Sequence, residues 1–367
     1  MVAVDHDVRG DRAEECDLMA RRPTVYDVAE RAGVSIATVS FAFAQPERVR
    51  KKTLDTVLAA AAALGYVPNV SARGLAKGRT GAIGLYSFSY LLDDGERDEL
   101  RARAADDARL FPLYSDLVQR GVELECRRRG LALMLGSGTV PDDLPAVVDV
   151  AGRVDGLIAF AGAAPAEALA RIARRIPVVE LGGETTAAGT RTVLVDHRSG
   201  MRRLVEHLLR EHGHRRFTYV GEESVTAEFA ERFGGYSDAL TAAGLAVDPP
   251  LPSAPAKEAT TRAALAPVLA RGHLPDVLVC ATDQEALVVL NVLRDAGIDV
   301  PGQVAVTGFD GIIATRLSSP PLTTVQQPME AIGRTAVRLL LEEETGEVGP
   351  LPTEPVIRAS CGCLSSN

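Results

Sequence analysis

The sequence has no run of about 18 uncharged apolar residues, which is the length that a membrane-spanning helix requires. Its first twenty residues hold six acidic side chains and no apolar segment, so they do not resemble a secretory signal. The five cysteines are an odd number, which argues against a disulfide framework and favours free thiols. Together these absences predict a cytoplasmic protein that does not associate with a membrane.

Motifs for catalysis and for cofactor binding are also missing. The sequence has no Gly-Lys dipeptide, no GxGxxG after a strand and no GxSxG turn, so phosphate loops, nicotinamide sites and hydrolase elbows are unsupported. His207, His212 and His214 lie close together without cysteine or acidic ligands at zinc spacing, and Cys361 with Cys363 is half of a structural zinc site. We therefore expect no enzyme activity, no cofactor and no metal.

Charge is distributed unevenly along the chain. The whole chain has a net charge of −9, which by itself disfavours a nucleic-acid partner. Residues 21–80, however, hold ten basic and four acidic side chains, while residues 81–367 hold 28 basic and 39 acidic ones. A small basic module joined to a larger acidic body is typical of a nucleic-acid-binding protein with a separate regulatory domain.

The basic module is predicted to contain three short helices. Thr24 and Ser35 are natural N-caps, Gly33 and Gly65 are natural terminators, and apolar side chains recur at helical spacing between them. Two short helices joined by a turn that contains glycine are typical of a helix-turn-helix. Helix spacing alone also fits a three-helix bundle that binds nothing, but the basic charge favours DNA.

The segments VYDVAERAGVSIATVS and YVPNVSARGLAKGRT resemble the LacI-type family of bacterial transcription regulators, and the resemblance continues over residues 21–360. It implies a helix-turn-helix domain at 21–67, a hinge at 68–80 and a two-lobed α/β effector domain of the periplasmic-binding type at 81–367, with parallel sheets. Lobe 1 is expected at 81–187 and 329–350, and lobe 2 at 188–328 and 351–360. Residues 1–20 are expected to be a disordered tail.

The resemblance implies that residues 35–41 enter the major groove of double-stranded operator DNA. Ile36, Ala37 and Phe41 then take the base-reading positions, where apolar side chains suit the thymine methyl group. Packing of Phe41 within its own module remains an alternative. Phosphate contacts are expected from Arg48, Arg50, Lys51, Lys52 and Thr53. The remaining contacts implied in this domain are Thr24, Tyr26, Ser35, Thr38 and Ser40.

The hinge segment VSARGLAK follows Pro68 and is too short to be a stable isolated helix. In the resembling family this segment folds on the operator, and a leucine wedges into the minor groove. Leu75 occupies that position, with Asn69 and Ala72 as further DNA contacts. A flexible linker with one stray leucine is the alternative.

Residues 81–367 alternate short apolar runs with helical stretches, which predicts parallel sheets with crossover helices. Eight strands are expected, beginning near residues 82, 131, 154, 176, 192, 215, 277 and 304. Five helices are expected, at about 113–130, 198–213, 232–244, 283–297 and 329–344. A body of this length is predicted to form two lobes, with a small-molecule site between them.

The resemblance implies that Arg232 and Asp310 bind the hydroxyl groups of a sugar or related polyol, with Thr282 and Asp283 beside them. Gly182 stands where the lactose repressor has an acid, so the polar groups of the cleft should be fewer or different. Hydrogen bonding between the lobes is the alternative role for Arg232 and Asp310. Residues 91–109 are inserted relative to the family, as a solvated helix or as a lid.

These expectations describe a homodimeric repressor controlled by a small-molecule effector. Two other classes stay open at this point. A transport-type binding protein would share the two-lobed body but would need no basic module, and an α/β enzyme would share the sheets but lacks a catalytic motif.

Overall fold

The structure is a computed structural model that describes residues 23–68, 78–88, 113–138, 144–183, 187–222, 226–253, 258–341 and 349–363. The chain forms two compact units, residues 1–80 and residues 81–367. The predictions for the tail 1–20, for Asn69, Ala72 and Leu75 of the hinge, and for the insertion 91–109 lie outside the described residues. Among the helices within these ranges, none is long and apolar enough to cross a membrane.

Three α-helices form the core of the amino-terminal unit, as the sequence predicts. The first begins after Thr24, whose backbone N–H donates to the Asp27 carboxylate at 2.6 Å, and it ends at Gly33 with φ 64°. The second begins after Ser35, whose hydroxyl accepts a hydrogen bond from the Thr38 N–H at 3.2 Å. The elements are α1 (Val25–Ala32), α2 (Ile36–Ala44), a 3₁₀ turn (Pro46–Arg48) and α3 (Lys51–Leu64).

The larger unit alternates strands and helices, and its two parallel sheets confirm the predicted fold class. Its elements in chain order are β1 (Ala82–Phe88), α4 (Leu113–Arg128), β2 (Ala132–Gly138), α5 (Leu144–Ala151), β3 (Gly156–Phe160), α6 (Ala166–Ala173), β4 (Val178–Leu181), β5 (Arg191–Val193), α7 (His197–Glu211), β6 (Phe217–Val220), α8 (Ala227–Ala242), α9 (Glu258–Ala270), β7 (Val277–Cys280), α10 (Asp283–Asp295), β8 (Ala305–Thr307), α11 (Ala314–Leu317), β9 (Thr324–Gln326), α12 (Met329–Leu340), β10 (Glu354–Val356) and a 3₁₀ turn (Ala359–Cys361).

The first sheet has the strand order β2-β1-β3-β4-β5, and every neighbouring pair is parallel. All residues of β3 and β4 are buried, as expected for strands that helices cover on both faces. Helices α4 and α12 pack against this sheet and lie in very close contact with each other. A Cβ at Gly333 of α12 would overlap the backbone of Val118 and Val122 in α4, so glycine is required for this approach.

The second sheet has the order β6-β7-β8 and is also parallel. Its core joins apolar side chains of α7 and α8 to the strands. Strands β9 and β10 form a separate antiparallel pair, which the sequence analysis does not predict. Helices α5, α6 and α9 likewise have no counterpart among the predicted helices.

The boundary between the lobes differs from the sequence-based expectation. Lobe 1 is expected to end at residue 187, but Arg191–Val193 pairs with β4 and Val193 belongs to the core of the first sheet. The boundary shifts because β5 is too short, at three residues, to be assigned to one sheet from its apolar pattern. The chain passes between the sheets after β5, again between β9 and α12, and a third time between α12 and β10.

Candidate functional site

Helix α2 of the amino-terminal unit divides its side chains between the core and solvent. Val39 and Ala42 are buried against α1 and α3. On the outer face, Ile36 keeps 40% of its surface exposed and Phe41 keeps 45%. Large apolar side chains that remain exposed on one helical face favour contact with a partner. The exposed face also includes Ser35, Ala37 and Ser40.

Phe41 lies outside the core of its own unit. The aromatic side chain that packs there is Phe43, whose ring centroid is 5.8 Å from that of Tyr66. Phe41 instead lies beside Arg48, whose guanidinium carbon is 5.6 Å from the ring centroid. Arg48 also donates to the Gln45 side chain at 2.7 Å. Phe41 therefore lies against Arg48 at the surface of its unit and does not belong to the core.

The other side chains implied as DNA contacts lie at or near the surface of this unit. Arg50, Lys51 and Lys52 are exposed at the start of α3. Tyr26 is 66% exposed. Thr24, Thr38 and Thr53 are half-buried. These positions supply both positive charge and hydroxyl groups, the two donor types that most often contact phosphates.

In the larger unit, Arg232 of α8 and Asp310 after β8 form a buried ion pair with a separation of 3.2 Å, and their side chains are 4% and 6% exposed. Arg232 also donates to the Ala281 carbonyl at 2.7 Å and to His197 Nδ1 at 3.4 Å. Its guanidinium carbon lies 4.2 Å from the ring centroid of Phe309. Arg232 lies on α8, which packs on the second sheet, and Asp310 follows strand β8 of that sheet. The pair therefore lies within one lobe and does not connect the two lobes.

Asp310 is held in a strained backbone conformation, with φ 125°, a region that residues other than glycine rarely adopt. Its carboxylate accepts a hydrogen bond from the Gln327 amide at 2.7 Å. Burial raises the pKa of Asp310, whereas Arg232 lowers it. Strain and burial at one carboxylate favour a functional position.

The side chains of Thr282 and Asp283 form hydrogen bonds with other groups of the protein. Thr282 caps α10, where its hydroxyl accepts from the Glu285 N–H at 3.2 Å. The Asp283 carboxylate accepts from Gly311 N at 2.6 Å, from Ile312 N at 2.9 Å and from the Thr324 hydroxyl at 2.5 Å. Burial, with the nearby charge of Asp310, raises the pKa of Asp283 to about 7. Asp283 therefore positions the loop that carries Asp310.

Glu228 is a site residue that the sequence analysis misses. It lies one helical turn before Arg232 on α8, and its Oε1 occupies the space that a Cβ on Gly182 would fill. Burial raises the pKa of Glu228, Arg232 lowers it, and Asp310 raises it further. Glu228 of α8 thus places a carboxylate in the space beside Gly182, where the side chain of an acid at that position would begin. The four-residue spacing from Arg232 is the signal that would have identified it.

The first sheet contributes an aromatic surface to the same place. Tyr114 of α4 lies edge-on to Phe160, with ring centroids 6.4 Å apart. Burial raises the pKa of the Tyr114 hydroxyl well above its usual value, and the charges of Glu228 and Asp310 add to this. We call the region bounded by Tyr114, Gly182, Glu228, Arg232 and Asp310 the inter-sheet site.

His197, the first residue of α7, adds an unused donor to the inter-sheet site. Its Nδ1 accepts from Arg232, and burial with the adjacent charge of Arg232 holds its pKa well below the usual value. The low pKa favours the neutral imidazole, and the contact of Nδ1 with Arg232 assigns the proton to Nε2. That nitrogen is buried and has no hydrogen-bond partner among the described residues. A buried polar atom without a partner needs an explanation, and an acceptor on a bound ligand would supply one.

The inter-sheet site combines donors and acceptors with aromatic faces, which is the usual composition of a small-molecule site. Its groups can bind hydroxyls in both directions, since the carboxylates accept and the guanidinium donates. Elsewhere in the larger unit, the ligand atoms of His207, His212, Cys361 and Cys363 converge and could hold a metal ion.

Comparison with known proteins gives matches to both units. The family model for bacterial regulatory proteins of the lacI family matches residues 24–69, and the model for a periplasmic binding protein-like domain matches residues 205–361. The chain is 33% identical over 355 residues to the HTH-type transcriptional regulator CelR of Thermobifida fusca, covering 92% of this chain and 95% of the relative. It is 28% identical over 323 residues to the HTH-type transcriptional regulator GalR of Escherichia coli, covering 87% and 88%.

Solved structures agree with these relatives. A complex of the transcriptional regulator CelR with cellobiose has a TM-score of 0.61 at 29% identity, covering 92% of this chain and 100% of that chain. The Lac repressor dimer bound to operator and an anti-inducer has a TM-score of 0.72 at 26% identity, covering 93% and 99%. The relatives named here are transcription regulators and not enzymes. The chain belongs to the lacI family of bacterial regulatory proteins and is a DNA-binding transcriptional regulator.

Proposed function

We propose that this regulator is a repressor that binds a pseudo-palindromic operator as a homodimer and responds to a sugar or related polyol in the inter-sheet site. The helix-turn-helix unit supports the DNA role and distinguishes the protein from a transport-type binding protein. The symmetry of a dimer is matched by the symmetry of its operator in proteins with this motif. The two-lobed body supplies the small-molecule site.

The arrangement around Arg232 carries the effector assignment. Two carboxylates interact with the Arg232 guanidinium: Asp310 forms an ion pair with it at 3.2 Å, and the guanidinium charge lowers the pKa of Glu228. The ring of Phe309 lies against the guanidinium. A polyol binds through many hydroxyl groups, each of which both donates and accepts, so it suits a mixed set of fixed donors and acceptors. The apolar faces of a sugar ring suit Tyr114 and Phe160 across the site. The similarity to CelR, whose solved complex holds cellobiose, makes cellobiose the first ligand to test.

The outer face of α2 supports a particular mode of base reading. Ile36 and Phe41 are large, apolar and exposed, and side chains of this type contact the thymine methyl group rather than donate to guanine. Arg48, held against Phe41, adds positive charge at the edge of that face. We infer an operator half-site with thymines opposite Ile36 and Phe41, flanked by phosphate contacts from Arg50, Lys51 and Lys52.

A thermal-shift titration tests the effector assignment. Cellobiose, other disaccharides, monosaccharides and nucleosides are added separately to the full chain, and a ligand that binds only the folded state raises the unfolding midpoint. We expect a carbohydrate to do so, and Arg232→Met to remove the response. Arg198→Met is the matched control, since Arg198 forms an exposed ion pair with Asp238 at 2.8 Å outside the inter-sheet site. A normal response in Arg232→Met, or stabilisation by no carbohydrate, contradicts the assignment.

A further inference from the structure

Four side chains with metal-binding atoms meet where the end of the chain packs against α7. His207 lies in the last turns of α7, His212 follows that helix, Cys361 ends the final 3₁₀ turn, and Cys363 follows two residues later. The nearest ligand atoms of all four lie within 4.8 Å of one another. Cys361 is buried and the other three side chains are half-buried. They form a compact cluster, remote in sequence, that the regulator's known functions do not use.

The distances within this cluster match a tetrahedral ion. Bond lengths of about 2.3 Å to sulfur and about 2.05 Å to nitrogen place the sulfur and nitrogen ligands about 3.6 Å apart around zinc. The Cys363 sulfur is 3.6 Å from His207 Nε2 and 3.3 Å from His212 Nε2. The Cys361 sulfur is 3.9 Å from His207 Nε2. Each of these three separations is within a few tenths of an ångström of that value.

We propose that His207, His212, Cys361 and Cys363 bind one Zn²⁺ ion. Two thiolates and two imidazoles are a ligand set that selects zinc among the common divalent ions. The two thiolate charges neutralise the ion, so a half-buried site holds it without a further counter-ion. Protein ligands fill all four positions, and a closed tetrahedral site of this kind is structural rather than catalytic.

Local backbone geometry supports the same conclusion. Gly362 adopts φ 101°, a conformation that favours glycine, and this residue turns the chain between the two cysteines. A Cβ on Gly362 would lie 3.4 Å from the ring of His212. The glycine therefore allows the Cys361-Gly-Cys363 segment to fold tightly over the histidines and to present both sulfur atoms to them.

The sequence separates the two halves of this ligand set, and neither half alone predicts a metal site. The histidine pair and the cysteine pair each supply only two ligands, and they are between 149 and 156 residues apart in the sequence. The fold unites them because Ser360, beside Cys361, anchors the chain end to the second sheet. Its hydroxyl donates to the Val306 carbonyl at 2.6 Å and accepts from Thr323 N at 2.8 Å.

The ion would link the last described residues of the chain to the end of α7. The first residue of that helix, His197, contacts Arg232 in the inter-sheet site. A metal cross-link between distant segments stabilises the folded state because the assembled ligand set is lost on unfolding. Zinc would therefore stabilise the second lobe and fix the position of the helix that supports the effector site.

The test measures metal content and stability on the full chain, purified with a thiol reductant after growth in zinc-supplemented medium. Zinc is quantified by plasma mass spectrometry, and the unfolding midpoint is recorded before and after treatment with a strong chelator. We expect one zinc per chain and a fall in the midpoint on chelation. We expect Cys363→Ser to contain only background zinc and to show no further response to the chelator.

His214→Gln is the matched control. The His214 ring stacks on His212 with centroids 5.4 Å apart, but its nitrogens are not part of the converging set. This variant should keep its zinc. As a measurement that does not depend on any variant, Co²⁺ added to the chelated wild-type protein should give thiolate-to-cobalt charge-transfer absorption and intense tetrahedral d–d bands.

Three results would overturn the proposal. The first is background zinc in the reduced wild-type protein together with no thiolate–cobalt absorption. The second is equal zinc content in wild type and Cys363→Ser. The third is a Cys361–Cys363 disulfide that persists in the reductant, because the two thiolates would then be unavailable to a metal.

Discussion

Replacement of Arg232 by methionine separates stability from ligand response at the inter-sheet site. Methionine keeps most of the side-chain volume between Phe309 and Phe229, whose ring centroids lie 4.2 Å and 5.2 Å from the guanidinium carbon. It removes the ion pair to Asp310 and the hydrogen bond to the Ala281 carbonyl. Asp310 then remains buried, with the Gln327 amide as a hydrogen-bond donor.

Loss of one partner of a buried ion pair lowers the free energy of unfolding by about 3–5 kcal/mol. The deficit should depend on pH with a definite sign. Burial already raises the pKa of Asp310 and Arg232 opposes the rise, so removal of Arg232 raises that pKa further. The folded variant then keeps a proton that the unfolded chain has released, and its stability falls as pH increases above the unfolded value of about 3.9. Between pH 7.5 and 5.5 the deficit should shrink by up to about 2.7 kcal/mol.

Urea unfolding of four proteins measures this: wild type, Arg232→Met, Asp310→Asn and the double variant. The double variant should be more stable than Arg232→Met at pH 7.5, because a neutral amide replaces the Asp310 carboxylate that has lost its ion-pair partner. The double variant should still bind operator but fail to respond to the effector. A wild-type free energy of unfolding in Arg232→Met, or a deficit that is the same at both pH values, would refute the reasoning.

Three further predictions concern other parts of the chain. Gly333→Ala should lower the free energy of unfolding by about 1–3 kcal/mol because the added methyl overlaps α4, whereas Gly349→Ala, which enters open space, should not; thermal unfolding compares the two. Ile36→Ala and Phe41→Ala should weaken operator binding without changing stability. Replacement of an operator thymine by uracil should weaken the operator affinity of the wild type by about fourfold per buried methyl. The affinity of the variant that lacks the side chain facing that thymine should not change. Burial raises the pKa of Glu285 to about 8, so the free energy of unfolding should fall as pH rises from about 4.5 to 8. Urea unfolding of Glu285→Gln should show a smaller dependence on pH over the same range.

Local signals in the sequence predict much of the fold. Thr24, Ser35, Gly33 and Gly65 mark the helix ends of the amino-terminal unit, because capping depends on residues next to each other in sequence. Several strands of the larger unit are evident as short apolar runs because every residue of β3, β4, β7 and β8 is buried. Strand β5 is harder to assign, since three residues do not define a pattern and its partner strand decides its sheet.

The residues of the candidate sites could be predicted from the sequence only in part. Arg232 and Asp310 follow from family resemblance, but the role of Glu228 depends on its distance from Gly182 in the folded chain. The convergence of His207 with Cys363 also arises only from tertiary packing, at a sequence separation of 156 residues. Asp283 was expected to face the effector, yet three hydrogen-bond donors from its own unit satisfy its carboxylate.

The central claim is that a carbohydrate in the inter-sheet site changes the affinity of the helix-turn-helix unit for a specific operator. The full chain first selects duplexes from a random pool. Fluorescence anisotropy at one fixed salt concentration then measures the affinity for the selected duplex with and without the stabilising carbohydrate. The account predicts enrichment of a pseudo-palindromic sequence and a change in its affinity of about tenfold or more on ligand addition, which corresponds to about 1.4 kcal/mol of coupling. No enriched sequence, or equal affinity for the selected duplex with and without the carbohydrate, would contradict it.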